Sequence, residues 1–151
     1  MQNETKSIWF SQPDLSSMNA MLKNTACEAL GLELTEVGPD YLVGTMPADA
    51  RTFQPFGLVH GGANVVLAET LGSMGANMVV DTSKFYCVGQ EVNANHLRGV
   101  RTGKVTGRAN LWHAGKSSQV WNIELRDDQG KLTCVSRLTM AVVAIPGGQA
   151  A

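Results

Sequence analysis

The stretch Gln54-Pro55-Phe56-Gly57-Leu58-Val59-His60-Gly61-Gly62, running on into Ala63-Asn64-Val65-Val66-Leu67-Ala68-Glu69, decides how this chain folds. It reads as a tight loop feeding a long apolar helix, with one carboxylate set into that helix. Two glycines stand where the helix begins, so their backbone N–H groups sit at its positive end, a natural place to receive developing negative charge. Glu69 is flanked by Val65, Val66, Leu67, Ala68 and Leu71, and no Lys or Arg occurs from Thr52 to Ser83. A carboxylate with no basic partner in its own helix is costly to bury unless chemistry requires it. That contrast points to an enzyme.

Outward from this stretch, residues 60–80 read as one helix, with small residues recurring at Gly61, Gly62, Ala63, Ala68, Gly72, Gly75 and Ala76. Gly72 and Gly75 each cost about 1 kcal/mol of helix propensity relative to alanine, so they imply close approach of a sheet or a partner helix. Upstream, Pro13 to Asn24 has Leu15, Met18, Met21 and Leu22 at helical spacing, with Pro13 suited to a first turn and Asp14 to the positive helix end. Thr25 to Leu30 suits one more helical turn, ended by Gly31. Leu32–Val37 and Tyr41–Met46, joined by Gly38-Pro39-Asp40, predict a hairpin, and Pro47 to Phe56 a two-proline loop. Downstream, four strands are expected, roughly Tyr86–Leu97, Gly103–His113, Ser117–Arg126 and Leu132–Ala144, with Asp127-Asp128-Gln129-Gly130 as a hairpin turn. One helix apolar nearly all round, followed by antiparallel strands, suggests an α+β fold in which a curved sheet wraps a helix.

The 151 residues suit a single domain spanning 1–151, with flexible ends expected at about 1–12 and 146–151. Hydrophobic residues make up 44% and charged residues 17%, a globular composition whose low charge hints at surface covered by other subunits. The net charge of -1 argues against nonspecific nucleic-acid binding. Three cysteines without CxxC spacing suit reduced thiols in a cytoplasmic protein. The polar Met1–Gln12 does not read as a signal peptide, and no apolar run reaches the ~18 residues of a membrane span.

The run from Gln54 to Ser73 resembles the hotdog-fold acyl-CoA thioesterases, in the branch acting on aromatic acyl-CoA esters. The likeness extends from about Leu15 to Val143, through Val88-Gly89-Gln90-Glu91-Val92-Asn93-Ala94-Asn95-His96-Leu97-Arg98 and His113-Ala114-Gly115-Lys116-Ser117. Within this branch it is most similar to small bacterial enzymes that hydrolyse 1,4-dihydroxy-2-naphthoyl-CoA in menaquinone biosynthesis. Their relatives clear misloaded aryl groups from carrier proteins in siderophore assembly. The resemblance implies an antiparallel sheet around the helix, a homodimer sharing one continuous sheet, and frequent homotetramers. It implies that Glu69 is catalytic, that the Gly61 N–H polarises the thioester carbonyl, and that Gln54, His60 and Ser73 line the site. It points to Val88, Gly89, His96, Arg98, Gly115, Lys116 and Ser117 as contacts of the CoA handle, with no cofactor and no metal.

The residues fit that chemistry. Glu69 suits a general base or a nucleophile forming a transient acyl anhydride, and the sequence leaves both routes open. Ser73 follows Glu69 by one helical turn on the same face, placed to orient water or the carboxylate. Gln54 suits a hydrogen bond to the acyl carbonyl or the carboxylate. Gly61 and Glu69 lie roughly 12 Å apart along one helix at 1.5 Å per residue, too far to act on one carbonyl. Two antiparallel helices from two subunits solve this, with Gly61 of one facing Glu69 of the other. Eight of the twelve Lys and Arg residues lie after position 97, which favours an anionic ligand on that half.

Blander readings stand beside these. His60 also suits a helix cap, Ser73 helix packing, and His96 and His113 structural positions. The three histidines show no HExxH spacing, which argues against zinc. A hydratase on the same fold would want an Asp/His pair that the motif lacks. A noncatalytic acyl-CoA sensor would be expected to carry a basic helix-turn-helix segment, yet Met1 to Gly31 holds only Lys6 and Lys23. No GxSxG elbow supports a serine hydrolase.

Overall fold

In the computed structural model, residues 6–146 are described. The expected ends fall partly outside this range, at residues 1–5 and 147–151. The central element is α3, Gly61–Val79, with His60 as its N-cap. Around it runs one antiparallel sheet built from β1 (Glu33–Val37), β2 (Tyr41–Pro47), β5 (Phe85–His96), β6 (Lys104–Ala114), β7 (Ser118–Arg126) and β8 (Leu132–Ala144). Its strand order is β1-β2-β6-β7-β8-β5. This is the hotdog arrangement expected from the sequence.

Two corrections concern the first half. The helix expected over 13–24 shortens to α1, Leu15–Ala20: it starts late because Asp14 is its N-cap and accepts the Ser17 N–H at 2.8 Å, and after Ala20 the chain passes into turns that end with Asn24 at φ 57. The further helical turn expected over 25–30 is present as α2 (Ala26–Ala29), capped by Thr25. The loop expected over 47–56 holds β3 (Phe53–Gln54), which pairs with β4 (Leu58–Val59) just ahead of α3. These two-residue strands are too short to leave a periodic signal.

The small residues of α3 do what their spacing suggested. An added Cβ at Gly72 would meet Leu138 Cδ2 at 2.5 Å, and one at Gly75 would meet the Trp121 ring at 2.6 Å. Across the sheet, Gly44 pairs with Gly107, and the space above the pair is filled by Leu71. The helix therefore lies close on the sheet over a core of Leu67, Leu71, Trp121, Ile123, Leu125, Leu138 and Met140. Full burial of each large apolar side chain stabilises by about 1.5–3 kcal/mol, which offsets the poor helix propensity of the glycines.

Both sheet edges are held by asparagine carboxamides. On β1, Asn19 donates to the Leu34 carbonyl (2.9 Å) and accepts the Leu34 N–H (2.8 Å). Near the start of β5, Asn77 bonds the Cys87 carbonyl (3.2 Å) and N–H (2.8 Å) in the same way. Each side chain substitutes for a neighbouring strand at one residue. Residues 8–10, expected to be loose, are strapped across the far end of α3: Phe10 N–H donates to the Met78 carbonyl at 2.9 Å. Trp9 stacks on Trp121 with ring centroids 6.3 Å apart and bonds the Gly38 carbonyl through Nε1 at 2.7 Å.

Candidate active site

At the start of α3 the chain turns back twice. Gly57, at φ 72, donates its N–H to the Gln54 carbonyl at 3.0 Å and closes the turn carrying Pro55 and Phe56. The His60 N–H donates to the Thr52 carbonyl at 2.7 Å, and the Val59 N–H to the Val100 carbonyl at 2.9 Å. These bonds fix Gln54 beside the first turn of the helix. The Gln54 side-chain oxygen accepts the Phe56 N–H. The exposed His60 ring caps the helix, its Nδ1 accepting the Gly62 N–H at 2.8 Å, which leaves Nε2 as the free nitrogen. The helix-capping reading of His60 therefore holds alongside whatever else it does.

Here a first cleft, about 310 Å³, is lined by Gln54, Leu58, Val59, Gly61, Asn64 and the segment from His96 to Gly99. His96 rests on the Cα face of Gly61, where an added Cβ would meet Nε2 at 2.8 Å. Gly61 is thus closed over by an imidazole that any larger residue would displace.

Two turns further along α3, a second cleft of about 330 Å³ is lined by Met21, Leu22, Thr25, Cys27, Val66, Glu69, Thr70, Ser73 and Met74. Glu69 is half-buried here, and among the described residues it takes part in no ion pair. Its Oε1 lies 2.8 Å from where a Cβ on Gly89 would stand, so β5 closes directly over the carboxylate. Ser73, as its spacing implied, lines the same cleft, and its hydroxyl contacts Met140 Sδ at 3.7 Å. Gly89 pairs with Met140, and a bulge between Gly89 and Glu91 bends β5 at this point.

The sequence-derived site residues therefore fall into two groups within one chain. Gln54, His60, Gly61, His96 and Arg98 gather at the helix start. Glu69, Ser73 and Gly89 gather around the second cleft, and the two clefts share no lining residue. The expected handle contacts are split as well. Val88 pairs with Ala141, which in turn pairs with Ser118, so Val88 and the Gly115–Ser117 turn share one end of the sheet. His96 pairs with Cys134 toward the other end. Some of the basic residues expected for an anionic ligand are engaged locally: Arg126 pairs with Glu124 at 2.6 Å, and Arg108 lies 3.5 Å over the Tyr41 ring.

Asn64, Cys27 and Thr70 also line these clefts. Asn64 lies inside the opening motif as a polar residue in an apolar run, and that was a usable signal. Cys27, whose Sγ lies 3.3 Å from Thr70 Oγ1, arrives from a distant segment and leaves none. Burial pushes the thiols of Cys87 and Cys134 up, although for Cys134 a backbone hydrogen bond from Asn95 pulls the other way. Among the described residues no three His, Cys, Asp or Glu side chains gather to hold a metal ion. Among the described residues no helix is long and apolar enough to cross a membrane.

A half-buried carboxylate on the central helix, with a glycine-led helix start, suits hydrolysis of a thioester, and the likeness to known proteins gives the class. Residues 56–134 match the model of the thioesterase superfamily, and the chain belongs to that family. It is 44% identical over 136 residues to the 1,4-dihydroxy-2-naphthoyl-CoA hydrolase of Escherichia coli K12, covering 90% of this chain and 99% of that one. It is 47% identical over 137 residues to the proofreading thioesterase EntH of Cronobacter turicensis, covering 90% and 98%. The crystal structure of a mutant thioesterase from Pseudomonas aeruginosa is matched with a TM-score of 0.91 at 52% identity, covering 92% of this chain and 100% of the other. The protein is an enzyme with thioesterase activity on acyl-CoA or related thioesters.

Proposed function

We propose that the enzyme hydrolyses an aromatic acyl-CoA such as 1,4-dihydroxy-2-naphthoyl-CoA, a step of menaquinone biosynthesis, in the cytoplasm and without a cofactor. The observation that carries the mechanism is the division of the site into two clefts on one helix. Neither holds both a carboxylate and the free amide end of α3. A carbonyl needs both within contact distance, and a glutamate side chain does not span two helical turns.

The site is completed by a second copy. β5 is 12 residues long and forms the longer of the two sheet edges, the other being the five-residue β1. Antiparallel pairing of two such edges would make one continuous sheet and lay two α3 helices side by side in opposite directions. Gly61 of one protomer then faces the partner's Glu69. Two such dimers forming a homotetramer would suit the low charged fraction.

In the reaction, the Gly61 N–H receives charge on the thioester oxygen, and His60 and Gln54 line that end. Glu69 takes a proton from water as the water oxygen bonds to the carbonyl carbon. The C–S bond then breaks and the thiolate leaves with that proton. Alternatively, the carboxylate attacks the carbonyl carbon, the C–S bond breaks to release the thiolate, and water then cleaves the anhydride to the free acid and Glu69, its proton passing to the thiolate. Ser73 orients the carboxylate or the water. Val88, Gly89, His96, Arg98, Gly115, Lys116 and Ser117 contact the CoA handle, the two groups being supplied by opposite protomers.

The test is turnover of dihydroxynaphthoyl-, hydroxybenzoyl- and fatty acyl-CoA and of an aryl-loaded carrier protein. Glu69→Gln is expected to lose at least ~100-fold in kcat while folding and binding ligand. Mixing Glu69→Gln with Gln54→Ala protomers should restore one working site per mixed dimer. Full activity of Glu69→Gln, or no recovery on mixing, refutes the corresponding part. Preference for the loaded carrier protein would instead identify a proofreading enzyme, and ligand binding without turnover a sensor.

A further inference from the structure

Asn64 stands apart from the two asparagines that clamp the sheet edges. It is buried, with 5% of its surface exposed, and it lines the cleft at the helix start. Its Oδ1 is sealed from solvent and has no hydrogen-bond partner, the one such buried side-chain atom among the described residues. Asn19 and Asn77 use both ends of their carboxamides on strand backbone. No such bond engages the carboxamide of Asn64 among the described residues. Oδ1 could be satisfied only by a donor, whereas the Nδ2 end is not sealed and meets no protein acceptor among the described residues, so it is the end left to donate into the cleft.

Position says which acceptor the Nδ2–H groups would meet. Asn64 lies three residues after Gly61, and its backbone N–H is already taken by the His60 carbonyl at 3.1 Å. Helical side chains lean toward the N-terminus, and residues three apart share a face. The carboxamide of Asn64 therefore covers the turn that presents the Gly61 N–H.

We propose that Asn64 is a further catalytic residue, whose Nδ2–H donates to the thioester carbonyl oxygen beside the Gly61 N–H. The inference rests on the reading of Gly61 given above. As water attacks and the carbonyl π electrons move onto oxygen, two donors share the charge instead of one. The partner's Glu69 holds the proton of the attacking water, and the charge is released when the C–S bond breaks and the thiolate departs with that proton.

The experiment compares wild type, Asn64→Leu, Asn64→Asp and Glu69→Gln on dihydroxynaphthoyl- and 4-hydroxybenzoyl-CoA. Leucine nearly matches the side chain in shape without polar atoms, and aspartate keeps the shape while replacing the donor by an acceptor. Both are expected to lose kcat by about 100-fold with KM changed by less than about threefold, the pattern of a donor used mainly in the transition state. Asn64→Leu should melt no lower than wild type, since it removes an unpaired polar atom, whereas a structural asparagine would melt lower. With a carbonyl-labelled thioester bound to Glu69→Gln protein, adding Asn64→Leu should move the C=O stretch to higher frequency. Wild-type kcat in both Asn64 variants, or an unmoved carbonyl band, overturns the inference while an inactive Glu69→Gln leaves the reading of the site intact. Turnover by Glu69→Gln would remove the underlying reading instead.

Discussion

Adding a single methyl group at Gly89 asks whether β5 positions the carboxylate of Glu69. The new Cβ would stand 2.8 Å from Oε1 and 3.9 Å from Cδ. Ordinary contact requires about 3.5 Å, so the oxygen must retreat by roughly 0.7 Å. It can do so at little cost, because the atom in the way ends a flexible side chain and is not backbone. Misplacing a reacting group by about 1 Å costs on the order of 100-fold in rate, so Gly89→Ala should lose roughly 10- to 100-fold in kcat. Its melting temperature should stay within about 3 °C, since the alanine also restricts the unfolded chain by about 0.4–1 kcal/mol. Gly75→Ala is the contrast. There the added Cβ meets the Trp121 ring at 2.6 Å, and Trp121 is fully buried with nowhere to go. Overpacking of about 1–3 kcal/mol should lower the melting temperature by roughly 3–10 °C and leave kcat below the transition near wild type. Thioester turnover followed by released thiol, with thermal unfolding on the same samples, reads both quantities. Wild-type kcat in Gly89→Ala, or a melting point as low as that of Gly75→Ala, would refute the reasoning.

Two further outcomes follow from burial and capping. Cys87 and Cys134 are buried with thiols pushed up, while Cys27 is half-buried on the rim of the Glu69 cleft. At pH 8 a disulfide reagent should modify Cys27 alone in the native protein and all three cysteines in guanidinium, with ligand slowing the first reaction; fast native loss of all three contradicts this packing. The carboxyl group of Asp14 is held below its ordinary value of 3.8 by hydrogen bonds from the Ser17 side chain and N–H. A depressed carboxylate stabilises above its unfolded value and ceases to as pH falls through the lower folded value. Asp14→Ala should therefore melt lower than wild type at neutral pH, with the gap closing progressively below pH 3.8; a gap independent of pH would exclude the cap as its cause.

Periodicity and punctuation carried most of the architecture. The long helix, the leading hairpin and the four later strands lie within a few residues of where the patterns put them, because each depends on neighbours in the chain. The eight-residue interval from Gly61 to Glu69 likewise fixed their separation, since helical rise depends on count alone. What remained hidden involves partners far apart in sequence. Trp9 reaches Trp121, Asn19 closes on Leu34, and Cys27 and Met21 come to the wall of the Glu69 cleft. The same is true of Gly89 closing over Glu69 and of His96 seated on Gly61. A one-dimensional pattern records which face of an element is apolar, not which element will cover it. Helical count set the carboxylate and the glycine amide apart, and only the tertiary structure, by choosing what packs over each turn of α3, decided which residues wall the cleft at each.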